Sequence, residues 1–113
     1  MEVMVIGTGA DALRLGLKGR LDAAGAEAVE AAFTAQVAGA PGDVLVDIAG
    51  VPFAGSLGIR MLISAGRVAT RRGRRMILVA PQPPVAEVFS VVALDDLIPV
   101  VADEAAALAL LAA

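Results

Sequence analysis

One serine in this chain stands where phosphate chemistry or a partner contact is most readily placed. In the stretch VDIAGVPFAGSLGIRMLISAGR, from Val46 to Arg67, Ser56 separates two apolar patterns. Before it, Val44, Leu45, Val46 and Ile48 form a short run bounded by Asp43 and Gly50, which predicts a strand covered on both faces of a sheet. After it, Leu57, Ile59, Leu62, Ile63 and Gly66 recur at helical spacing. The first N–H groups of a helix have no partner within it, so a serine at its start has two uses. Its hydroxyl caps those groups, or it accepts a phosphoryl group that the positive helix end tolerates.

Other chemistry has little material. The chain has neither histidine nor cysteine, which removes a Ser-His-Asp triad, a Cys-His dyad and any zinc site built on imidazole or thiolate. Its 12 carboxylates are scattered, and no pair has the local context of an acid and base held in a cleft. The expectation is therefore no enzyme, no metal and no cofactor. Gly7-Thr8-Gly9-Ala10-Asp11-Ala12 mimics part of a dinucleotide fingerprint, but Leu13, Leu15 and Leu17 then alternate with Arg14, Gly16 and Lys18. That period of two is a strand, so the glycines are expected to turn a hairpin rather than start a phosphate-binding helix. A net charge of −3 with 3% aromatic residues argues against nucleic acid as a partner. The cluster Arg67, Arg71, Arg72, Arg74 and Arg75 reads as a solvated helix end complementing the dipole.

These residues have to be positioned by a small scaffold. With 113 residues the chain suits one domain, spanning 1–113, with one core. The longest stretches without a charge are 12 residues, short of the roughly 20 that cross a bilayer, so no direct membrane insertion is expected. No basic leader with an apolar core precedes the first strand, and cysteine is absent, which points to the cytoplasm. Asp22 is placed to cap a first helix with Ala26, Val29, Phe33 and Val37 on one face, ended by Gly39-Ala40-Pro41-Gly42. A second helix is expected over Leu57 to Arg71, a strand over Arg75 to Ala80, and a short helix after Pro81-Gln82-Pro83-Pro84. Leu97 to Val101 reads as a last strand, kept to an edge by Pro99, and Asp103 as the cap of an alanine-rich helix that docks Leu108 and Leu111 on the sheet. The order predicts an α/β fold with an N-terminal hairpin, a mixed β-sheet and about four helices.

The segment Val51-Pro52-Phe53-Ala54-Gly55-Ser56-Leu57-Gly58-Ile59 resembles the signature of the STAS domain, V-x-F-hydrophobic-Asp-Ser-Ser/Thr-Gly-Leu. Leu17-Lys18-Gly19-Arg20-Leu21-Asp22 is similar to that family's L-x-G-x-L-D, and the likeness continues through Gly73, Met76 to Val79, Val88-Phe89 and Leu94. The resemblance implies a STAS-like fold and an anti-sigma factor antagonist, which sequesters a GHKL-type serine-kinase anti-sigma factor. It also implies phosphorylation of Ser56 as the switch. Gly55 replaces the family's aspartate and Leu57 its second hydroxyl residue. The alternative is therefore a constitutive structural or accessory STAS module of a signalling scaffold or transporter complex, not phosphorylated. Homo-oligomerisation stays open.

The second helix would carry the partner surface. Projected at about 100° per residue, Arg60, Ser64, Arg67 and Arg71 share one side, and the apolar arc beside them is wider than one sheet-facing stripe requires. The expected partner-binding residues are Asp22, Gly55, Ser56, Leu57, Gly58, Arg60, Met61, Ser64 and Arg67.

Overall fold

A computed structural model describes residues 1–8 and 12–112. The elements run β1 (Glu2–Thr8), β2 (Ala12–Lys18), α1 (Ala23–Gly39), β3 (Asp43–Gly50), α2 (Ser56–Arg71), β4 (Met76–Val79), α3 (Pro83–Val91), β5 (Val100–Val101) and α4 (Glu104–Ala112). The sheet order is β1-β2-β3-β4-β5, with β1 antiparallel to β2 and the remaining neighbours parallel. This is the expected α/β arrangement of a mixed sheet with an N-terminal hairpin and four helices. Gly7 and Thr8 finish β1 and Ala12 opens β2, which runs antiparallel to it. The expected turn at Gly9 to Asp11 lies outside the described residues.

Alternation decides which side chains meet. Leu13, Leu15 and Leu17 of β2, Val44, Val46 and Ile48 of β3 and Met76 and Leu78 of β4 face one way, into a core shared with α1, α2 and α3. From α1 come Ala26, Val29, Phe33 and Val37, four positions on one helical stripe, all buried. Burying a side chain such as Phe33 contributes about 1.5–3 kcal/mol. On the opposite face Ala12, Leu45, Ile77 and Val79 form a smaller cluster closed by α4. There Ala107 is fully buried, while Leu108 and Leu111 pack from its edges.

The caps explain where the helices begin and end. The Asp22 carboxylate accepts the Gly25 N–H at 2.8 Å and starts α1; Asp103 accepts the Ala106 N–H at 2.8 Å and starts α4. Helix α2 closes with Gly73 at φ +70°, its N–H donating to the Thr70 carbonyl at 3.0 Å and that of Arg74 to the Ala69 carbonyl at 2.8 Å. A left-handed residue is needed there, which glycine supplies without strain.

Two expectations are corrected. Pro83 and Pro84 do not precede α3 but form its first turn, where a missing N–H costs nothing. The last strand is not Leu97 to Val101. Residues Leu94–Asp96 form a 3₁₀ turn after Ala93 at φ 55°, and Ile98 turns into the core against Gly66 of α2. Only Val100 and Val101 pair with β4, at the sheet edge opposite β1.

Candidate functional site

The site is assembled from two loops stitched together. The Leu21 N–H donates to the Phe53 carbonyl at 2.8 Å, and the Gly55 N–H donates to the Leu21 carbonyl at 2.9 Å. Leu21 thereby forms a parallel bridge with Ala54. Both residues are buried, so the segment before α2 is fixed against the segment before α1 by backbone bonds and apolar packing together. This brings Asp22 and Ser56 to the same end of the sheet, each beside a residue of the bridged segment.

Capping is one of the two uses the sequence offers for Ser56, and the structure corrects it. Gly55 is the N-cap, with extended backbone (φ −103°, ψ −179°), and the Ile59 N–H donates to its carbonyl at 2.9 Å. Ser56 is the first helical residue, its side chain exposed and providing no cap hydrogen bond. The hydroxyl is thus free for another role at a helix end that favours negative charge.

Phe53 and Leu57 flank it, 40% and 47% exposed. The Phe53 ring is held by the Arg20 guanidinium, whose central carbon lies 4.4 Å from the ring centroid; Arg20 also reaches Asp22, Nε to Oδ2 at 3.5 Å. The ring leans over Gly55, where an added Cβ would stand 3.3 Å from Phe53 Cε2. The Cβ of the family's aspartate at this position would require that ring to give by a few tenths of an ångström. Asp22 is held below the usual carboxylate value of 3.8 first by the Gly25 N–H and then by Arg20. Its carboxylate is therefore committed to the start of α1 and to Arg20.

Along α2, Arg60, Ser64 and Arg67 are exposed. Gly58 and Met61 are not. Met61 is 1% exposed and packs in the core. Gly58 lies against Leu21, where an added Cβ would stand 2.4 Å from its Cγ. These two residues hold the helix in place and cannot touch a partner without local unfolding. The wide apolar arc is buried on two sides, by the sheet and by α1, leaving Leu57 as its exposed end. An open groove between α1 and α2 is lined by Ala23, Ala26, Glu27, Glu30, Leu57 and Arg60. Arg60 makes no ion pair among the described residues, although it shares the groove with Glu27 and Glu30.

Sequence reading missed Arg20 and Phe53 as site residues. Their contact joins two loops more than thirty positions apart, and no periodicity reports it. Among the described residues no group of three or more potential ligands could hold a metal ion, and no helix is long and apolar enough to cross a membrane.

The same fold recurs among solved structures. The family model described as Mlab, STAS domain matches residues 4–100, so the chain belongs to the STAS domain family. A STAS-domain protein of Planctomyces limnophilus has the same fold, with TM-score 0.81, 24% identity and coverage of 95% of this chain and 96% of that one. An anti-sigma factor antagonist of Mycobacterium paratuberculosis gives TM-score 0.80 and 21% identity over 99% and 96% of the two chains. The Bacillus cell fate determinant SpoIIAA in its phosphorylated form gives TM-score 0.67 and 21% identity over 93% and 96%. No curated protein sequence matches the chain.

Proposed function

We propose that this chain is a regulatory protein-binding module that acts without catalysis of its own, as an anti-sigma factor antagonist does on a GHKL-type serine-kinase anti-sigma factor. The observation that carries the reading is the Ser56 hydroxyl, exposed on the first residue of α2 between two exposed apolar side chains, Phe53 and Leu57. An aromatic and an aliphatic anchor, flanked by Arg20 and Arg60, have the composition of a contact centre. Asp22 and Gly55 shape this end of the surface, and Ser64 and Arg67 extend it along α2.

Phosphorylation gives such a surface a switch. The Ser56 oxygen would attack the γ-phosphorus of ATP held by the partner kinase, ADP would leave, and the hydroxyl proton would pass to a base of the kinase. The product carries about −1.5 to −2 charges at a helix end that tolerates them, so the fold survives while an apolar contact is repelled.

A second reading has its own observation. The Phe53 ring over Gly55, together with Leu57, surrounds Ser56 with apolar rather than acidic neighbours. This favours a constitutive accessory module, of the kind found in a signalling scaffold or a transporter complex, in which Ser56 stays unmodified. Affinity capture of the native protein followed by intact-mass measurement separates the two. A phosphorylated mass released from the partner supports the switch, and an unmodified mass in a stable complex supports the accessory module.

A further inference from the structure

We propose that the C-terminal end of α2 is a docking site for an acidic segment of a protein partner. The proposal builds on the partner-binding reading of α2 and adds a second, charged foothold at the end of the helix away from Ser56. Helix α2 has 16 residues, about 24 Å at 1.5 Å per residue.

Five of the nine basic residues, Arg67, Arg71, Arg72, Arg74 and Arg75, lie within this short stretch. Among the described residues only Arg75 is answered inside the fold, by Asp43 at 3.4 Å and by the carbonyls of Leu110 and Leu111 at 3.2 and 3.0 Å. Arg67, Arg71 and Arg72 are exposed and Arg74 half-buried, and none of the four has an ion pair among the described residues. Arg74 Nε is buried without a hydrogen-bond partner. The helix dipole accounts for Arg71 and Arg72 in and just after the last turn, but its effect is confined to that turn. Arg67 is one turn earlier and four residues from Arg71, a like-charge spacing that works against the helix. Arg74 lies beyond the turn made by Gly73. The dipole and the internal partners of Arg75 leave Arg67 and Arg74 unaccounted for among the described residues, and the patch they complete is answered from outside.

The chemistry of the occupant follows from the charges. All five residues are arginine, whose planar guanidinium binds carboxylates with two parallel hydrogen bonds. The rest of the chain carries four Lys and Arg against twelve Asp and Glu, a net of −8. An extended polyanion such as a DNA duplex or an anionic bilayer would face that remainder as well as the patch. A short acidic peptide would feel only the patch, because charges are screened beyond about 8 Å at physiological salt.

The test is fluorescence anisotropy of a labelled Glu- and Asp-rich amphipathic peptide with the full chain at physiological salt, beside a labelled DNA duplex and phosphatidylglycerol vesicles. Saturable binding of the peptide is expected, weakening by about tenfold in Arg71→Gln/Arg72→Gln with the fold retained by circular dichroism. Lys18→Gln, Ser56→Ala and Leu57→Glu should bind the peptide as the native chain does, so failure of the Ser56 surface and failure of this one are read separately. Equal affinity in native and arginine variants overturns the proposal. So does tighter binding of the duplex or the vesicles, or a self-association in sedimentation that the same variants abolish, which would make a second copy the occupant.

Discussion

Gly58 of α2 lies against Leu21 so closely that a Cβ on the glycine would stand 2.4 Å from the Leu21 Cγ and 2.5 Å from its carbonyl oxygen. The same carbonyl accepts the Gly55 N–H, so the contact that lets the helix approach also fixes the N-cap beside Ser56. Packing and site geometry are one structure here. Gly58→Ala is expected to destabilise the chain by about 1–3 kcal/mol and displace the start of α2, because the clash is partly with backbone that cannot rotate away. Chemical denaturation measures it. A midpoint unchanged from the native chain would mean that the helix does not approach Leu21 this closely.

Asp22 ties stability to pH. Its folded carboxyl lies below the ordinary 3.8, so its contribution is present in full above that value and is lost as pH falls through the folded pKa. Thermal midpoints measured from pH 5 downward should fall more steeply in the native chain than in Asp22→Asn, which still offers an oxygen to Gly25 but does not titrate. Parallel curves would show that the carboxylate charge contributes nothing at the start of α1.

Arg60 and Arg67 are exposed and make no ion pair among the described residues, so their charge is available to a partner. Arg60→Glu and Arg67→Glu should each weaken complex formation while shifting stability by less than about 0.5 kcal/mol. Binding measured by calorimetry with both variants tests this, and unchanged affinity in both would place the contact elsewhere.

Ser56 has separable structural and regulatory effects. Since Gly55 provides the cap, Ser56→Ala should change stability by less than about 0.5 kcal/mol, and Ser56→Asp should be neutral or favourable at the positive helix end. If phosphorylation is the switch, Asp releases the partner and Ala holds it. If the module is constitutive, both bind alike. Denaturation curves beside binding isotherms of the two variants give both answers.

Much of this fold is legible in the sequence because strand and helix periods differ. Leu13, Leu15 and Leu17 at period two, and Ala26, Val29, Phe33 and Val37 on one helical stripe, are buried as their spacing requires. Asp22 as cap follows from its side chain and its place before the stripe. The errors arise where tertiary contacts choose between local options. Either Gly55 or Ser56 suits an N-cap, and the bond from Gly55 to Leu21 decided for glycine. Leu97 to Val101 has strand composition, but Ile98 turns into the core against Gly66, and the strand shrinks to Val100 and Val101. The arc on α2 was wide because two neighbours cover it, which hides Met61. The stacking of Arg20 on Phe53 depends on two distant loops meeting and leaves no local signal.

The central claim is that a protein partner is held at the Ser56 end of α2, and Leu57→Glu tests it most directly. The substitution places a charge on an exposed side chain, so the fold should be retained by circular dichroism and thermal midpoint. Captured side by side from the native host, the unaltered chain should retain a stoichiometric partner and Leu57→Glu should lose it, with affinity for the purified partner falling by about tenfold or more. Retention of the same partner at the same affinity by a folded Leu57→Glu would contradict the assignment of this surface.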